Sequence, residues 1–158
     1  MIATSHVRMD NGSWSNRNSS DPGLSYLGVQ QALIDLAKTV DERGKYGKLS
    51  PECLITGVEN MFLAAELFQS SANPNQANPG VINSIKGKLK IHTSPYITST
   101  TAWWVTCGKK QTAIGLRMGD PPKLERDTDV RTKNLVMTEY MSFGLKVYDS
   151  KGWWGSAG

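Results

Sequence analysis

A chain of 158 residues with 39% hydrophobic and 20% charged content has the size and make-up of one globular domain, large enough to bury roughly 68 to 70% of its unfolded surface. Two full domains, wholesale disorder and a fibrous architecture are excluded on those grounds. Eighteen Lys and Arg against fourteen Asp and Glu give a formal charge of +4 spread along the chain, which permits contact with nucleic acid but lacks the concentrated basic face of a dedicated binder.

Residues 1–24 are dense in turn formers, with Asn11-Gly12-Ser13, Asn18-Ser19-Ser20 and Asp21-Pro22-Gly23, and read as a flexible arm or loop. Trp14 is the one residue there that invites burial, on a neighbour or on the body of the fold. From Ser25 the pattern turns helical: Leu33, Leu36, Ala37 and Val40 recur at three- and four-residue steps, opposite Asp35, Lys38, Asp41 and Glu42. Ser25 is the expected cap and Gly44 the expected left-handed stop, for a helix of about four to five turns.

Cys53-Leu54-Ile55-Thr56 reads as a buried strand. A second helix follows, with Val58, Met61, Phe62, Ala65 and Phe68 as its apolar stripe, and dissolves at Ser70-Ser71-Ala72-Asn73 into a flexible loop running to Gly80. Leu89 and Ile91 alternate with Lys88, Lys90 and His92, a strand with one wet face. Trp103 to Cys107 and Ala113 to Met118 are further strands, joined by a tight hairpin at Gly108-Lys109-Lys110. Pro121-Pro122 breaks the sheet, Glu125 to Asp129 reads as an exposed connection, and Met137 to Tyr148 as a long final strand with a bulge at Gly144. The order is that of an α+β protein.

The sequence offers little chemistry. His6 lies in the arm and His92 on a wet strand face, neither with an orienting neighbour. Cys53 and Cys107 lack metal-type spacing and read as buried reduced thiols. No phosphate-cradling glycine motif is present in the sequence. A cation site at Glu125, Asp127 and Asp129 is less favoured than a self-neutralised loop, because Arg126 and Arg131 are interleaved. The chain is expected not to be an enzyme, with no catalytic, cofactor or metal residue and no membrane partner: no run approaches the roughly 20 apolar residues of a membrane span, and no leader pattern opens the chain.

Five tryptophans, two pairs of them adjacent, are the conspicuous feature. Neighbours on a strand point to opposite faces, so one of each pair is expected in the core and the other on a second surface, as an anchor for a protein partner or a platform for single-stranded nucleic acid. Trp14, Trp103, Trp104, Trp153 and Trp154, with Arg126 and Arg131, are the candidate inter-subunit contacts.

The succession of segments carries a resemblance. Val29-Gln30-Gln31-Ala32-Leu33-Ile34-Asp35-Leu36 is followed by Leu49-Ser50-Pro51-Glu52-Cys53-Leu54-Ile55-Thr56 and Glu59-Asn60-Met61-Phe62-Leu63-Ala64. Then come Ile85 to Ile97, Thr101-Ala102-Trp103-Trp104, and a close of Tyr140 to Trp154 with an aromatic-Gly strand, an Asp turn and Gly-Trp. In this order they resemble the C-terminal half of a tailed-phage major capsid protein of the Hong Kong 97 type, in the Mu-like major head subunit branch. The resemblance implies a spine helix over about Ser25 to Arg43. It implies a peripheral-type domain from 25–57 and 119–158 and an axial-type domain over 58–118. It further implies a virion protein, assembled in the host cytoplasm into pentamers and hexamers with other capsid components and non-specific contact with packaged DNA. That fold carries an N-terminal arm and an extended hairpin ahead of the spine helix. The 24 residues available suit a fragment or a reduced relative lacking them.

Overall fold

The computed structural model describes residues 2–9, 11–18, 20–74 and 80–157. The fold is α+β, with eight strands and two α-helices among the described residues: β1 (His6–Val7), β2 (Ser13–Trp14), α1 (Tyr26–Lys38), β3 (Pro51–Gly57), α2 (Met61–Gln69), β4 (Lys90–Ser94), β5 (Trp103–Cys107), β6 (Ile114–Thr128), β7 (Leu135–Val147) and β8 (Trp153–Ser156). The chain divides into two compact units, a body of Met1–Ala113 with Ser150–Gly158, and Ile114–Asp149. The expected boundary at 118/119 falls inside β6, and β3 shares one sheet with β4 and β5, so the split into 25–57 with 119–158 and 58–118 does not follow the packing.

The body is built on a four-stranded mixed sheet in the order β4-β3-β5-β8. β3 runs parallel to β4 and antiparallel to β5, and β5 is antiparallel to β8. A parallel pair needs a long crossover, and α2 lies within the one that joins β3 to β4. Cross-strand registers Leu54↔Val105 and Val105↔Trp154 gather one sheet face, which packs with Val29, Ala32 and Leu36 of α1 and Ala64, Leu67 and Phe68 of α2 in a single core. At roughly 25 cal/mol per Å² of apolar surface removed from water, this core is the main source of stability.

Ser25 caps α1 as expected, its hydroxyl accepting from Gly28 N at 3.1 Å. The helix ends at Lys38, short of Gly44, because Thr39 turns extended and the Asp41 carboxylate accepts from Arg43 N and Lys45 N, closing a separate turn in which Gly44 takes its positive φ of 77°. Its buried stripe is Tyr26, Val29, Ala32 and Leu36, with Leu33 packed against the core and Ala37 exposed. In α2 the expected stripe is rotated. Phe62 is 74% exposed, with Val58 and Met61 also outward, because residues 58–60 form a 3-10 turn that changes the phase before the helix proper. Asn83, buried, ties down the end of α2 by donating to Leu67 O (2.7 Å) and Ser70 O (3.1 Å).

Residues 1–24 were expected to be a loose arm, yet the described part is docked on the body. Buried Asn16 accepts from Ala3 N through Oδ1, donates through Nδ2 to Ser150 O, and offers its carbonyl to Gly155 N. The loop expected from Asn73 to Gly80 lies mostly outside the described residues. Its flanks are paired by Asn73 N donating to Val81 O at 2.9 Å and by an Ala72↔Ile82 bridge.

The second unit is one long hairpin, β6 against β7. This corrects two expectations. Gly108-Lys109-Lys110 joins no hairpin, since β5 pairs with β3 and β8. Pro121-Pro122 does not end the strand, and Glu125 to Asp127 lie within β6. A strand of a two-stranded ribbon has one unpaired side, where a missing N–H costs little; the prolines appear as the register shift between Asp120 and Lys123.

Candidate assembly surface

Residues directly opposite in an antiparallel pair share a face, and faces alternate along each strand. The register Ile114↔Val147, Leu116↔Leu145 and Met118↔Phe143 therefore places six apolar side chains on one face, and Met141 extends it. The other face there carries Gly115, Arg117, Ser142, Gly144 and Lys146. The apolar side is in solvent: Phe143 is 62% exposed and Leu145 68%, with Leu116, Met118, Met141 and Val147 also outward. Single exposed hydrophobics are ordinary on a protein surface, whereas here six of the seven, all but the half-buried Ile114, are exposed side by side on one face. An isolated two-stranded ribbon is also only marginally stable in water.

Beyond the register shifts, Leu124↔Glu139, Arg126↔Met137 and Thr128↔Leu135 continue the same face. It thus carries one cation and one anion, Arg126 and Glu139, and neither has an ion-pair partner among the described residues. The hairpin's own polar contacts fall on the opposite face. Ser142 Oγ donates to Asp120 Oδ2 at 3.0 Å, Tyr140 OH donates to Glu125 Oε1 at 3.2 Å, and Lys123 Nζ sits 5.9 Å from the Tyr140 ring centre. At the tip, Asp129 accepts from Thr132 Oγ1 (2.7 Å) and Arg131 N (2.9 Å). The Thr132 hydroxyl first, then the Arg131 N–H, holds this carboxyl below its ordinary range. Asp129 thus serves the turn, and Arg131 stands exposed beside it.

The tryptophans behave differently from the interface reading. Trp103 and Trp154 are 0% and 1% exposed, their rings 5.1 Å apart in the core. Trp103 Nε1 donates to Pro22 O at 3.0 Å and Trp154 Nε1 to Asp35 Oδ2 at 3.2 Å, so neither is available as an inter-subunit contact. Alternation does place Trp104 and Trp153 on the opposite sheet face, both half-buried. There the chain covers part of the second surface itself: Trp104 lies over Gly155 and lines a cleft of about 380 Å³ with Ile2, Tyr96, Ile97 and Ala102. Trp14 stacks on His6, ring centres 4.6 Å apart.

Both cysteines are free. Burial raises the Cys107 thiol to about 11. Among the described residues no cluster of His, Cys, Asp and Glu has the makings of a metal site, and no helix is long and apolar enough to cross a membrane.

Of the seven contacts expected from the sequence, Arg126 and Arg131 lie on the hairpin unit. The apolar residues beside Arg126 on that face were missed. Their signal in the sequence is the alternation of apolar residues along the expected strand from Met137 to Tyr148, a pattern that gives a face but not what lies against it. Comparisons with family models, with curated proteins and with solved structures return no match.

Proposed function

We propose that this protein is a structural subunit that assembles with copies of itself and has no enzymatic role. We further propose that it is the major capsid (head) subunit of a tailed bacteriophage, forming pentamers and hexamers that enclose the genome in the virion. The observation that carries the first statement is the apolar face of the β6–β7 hairpin, on which Leu116, Met118, Met141, Phe143, Leu145 and Val147 are all exposed. The second rests on the order of sequence segments from Val29 to Trp154 that resembles the Hong Kong 97-type subunit. The hairpin follows the α1 helix here, whereas that family's extended loop precedes its spine helix, and α1 has 13 residues, so the correspondence of elements is partial.

A single-stranded nucleic-acid module would need stacking platforms in the open. Trp103 and Trp154 are buried and Trp14, Trp104 and Trp153 half-buried, which removes most of that reading's support.

The test is sedimentation velocity across concentration and salt, with negative-stain images of fast species. Rings, sheets or shells that persist in high salt are expected, because apolar contacts are not screened. Phe143→Asp should return the chain to a monomer. A parent chain that remains monomeric throughout and shifts on adding single-stranded DNA would overturn the reading in favour of the nucleic-acid module.

A further inference from the structure

Resting on that assembly reading, we propose that the apolar face of the hairpin docks on the same face of a second copy, in a two-fold contact that sets Arg126 of each chain beside Glu139 of the other.

The face is self-complementary, which a two-fold interface requires. It holds one positive and one negative residue on an otherwise apolar and neutral strip. Half a turn about an axis running along the ribbon, between two facing copies, lays β6 of one chain over β7 of the other at equal height. Ile114 then faces Val147, Leu116 faces Leu145 and Met118 faces Phe143, following the pairs of the hairpin's own register. Glu139 of the second copy comes to lie over Leu124. Arg126 is two residues further along that strand, about 7 Å, and packed sheets stand roughly 10 Å apart, a span that two long side chains close. The other two-fold arrangement runs the copies end to end and sets the apolar half over Arg126 and Glu139, burying both charges with no partner from the second copy, a costly outcome.

Size agrees with a repeated contact. A 13-residue strand is about 45 Å long and two strands are about 10 Å wide, so one face is roughly half of the ~800 Å² per partner in a standard interface. Such a contact is weak alone and gains strength by repetition in an assembly. A lipid surface is disfavoured as the occupant, because Arg126 and Glu139 would enter it on the apolar side.

The experiment measures self-association of the full chain by sedimentation velocity for the parent, R126E, E139R, their equimolar mixture, the double variant R126E/E139R and Phe143→Asp. Each single charge variant should weaken association by roughly tenfold or more, since like charges then meet across the two-fold. The mixture and the double variant should recover it, because opposite charges meet again. If the charge variants associate like the parent while Phe143→Asp is monomeric, the two-fold register is wrong and the hairpin remains the assembly surface. If Phe143→Asp associates normally, or the parent is a monomer at every concentration, this inference and the assembly reading it rests on both fail. Flotation of the parent with phosphatidylcholine vesicles, lost in Phe143→Asp, would replace the second copy with a membrane.

Discussion

The body and the hairpin answer the same hydrophobic problem in opposite ways. In the body, alternation along β3, β5 and β8 sends Leu54, Val105 and Trp154 to a face that two helices cover, and all three are at most 1% exposed. In the hairpin the same alternation gathers Leu116, Phe143 and Leu145, each more than 60% exposed. Strand periodicity selects a face; whether that face becomes a core or an interface depends on what lies against it. The body covers its own apolar face, and the hairpin leaves its apolar face in solvent.

Paired substitutions sharpen this contrast. Trp103→Ala should have the largest effect on the isolated chain, a loss of about 3 to 5 kcal/mol in denaturant unfolding, since the ring is fully buried and its Nε1 is bonded to Pro22 O. Leu145→Ala should change the stability of the dilute chain by no more than about 0.5 kcal/mol while weakening its self-association. A comparable loss for both in the monomer would break the comparison and mean that the hairpin face is already covered.

Gly155→Ala tests the outer face of the body sheet. An added Cβ would stand 2.5 Å from Trp104 Cδ1 and 2.8 Å from Ile2 Cδ1, so a loss of about 1 to 3 kcal/mol is expected, accompanied by a change in Trp104 fluorescence.

The smallest effect is that of acid. Glu42 is held below the free side chain's 4.5 by the hydrogen bond from Lys151, then by the Met9 N–H. The folded carboxyl therefore takes up a proton less readily than the unfolded one. The stability it lends is present above about pH 4.5 and is lost as pH falls below that value. A modest fall in melting temperature is expected below pH 4.5 and should be smaller in Lys151→Met, where the Met9 N–H still holds Glu42. A rise in stability on acidification would contradict the assignment.

Local signals in the sequence determined a good part of this protein. Ser25 ahead of an apolar period of three to four specified the start of α1, because a cap and an amphipathic stripe are both written in neighbouring residues. Lys88 to His92 announced a strand with one wet face, which the structure starts at Lys90, and the adjacent tryptophans announced two sheet faces, since side-chain alternation is a property of the strand itself. What sequence left open was pairing and cover. β5 looked to be the partner of the next strand, yet its partners are β3 and β8, chosen by packing between residues distant in the chain. Pro121-Pro122 and the charges that follow looked like an ending. Only the tertiary structure decided otherwise, because the outer side of a two-stranded ribbon needs no N–H from one proline, and the register shift between Asp120 and Lys123 takes up the other while β7 pairs on either side.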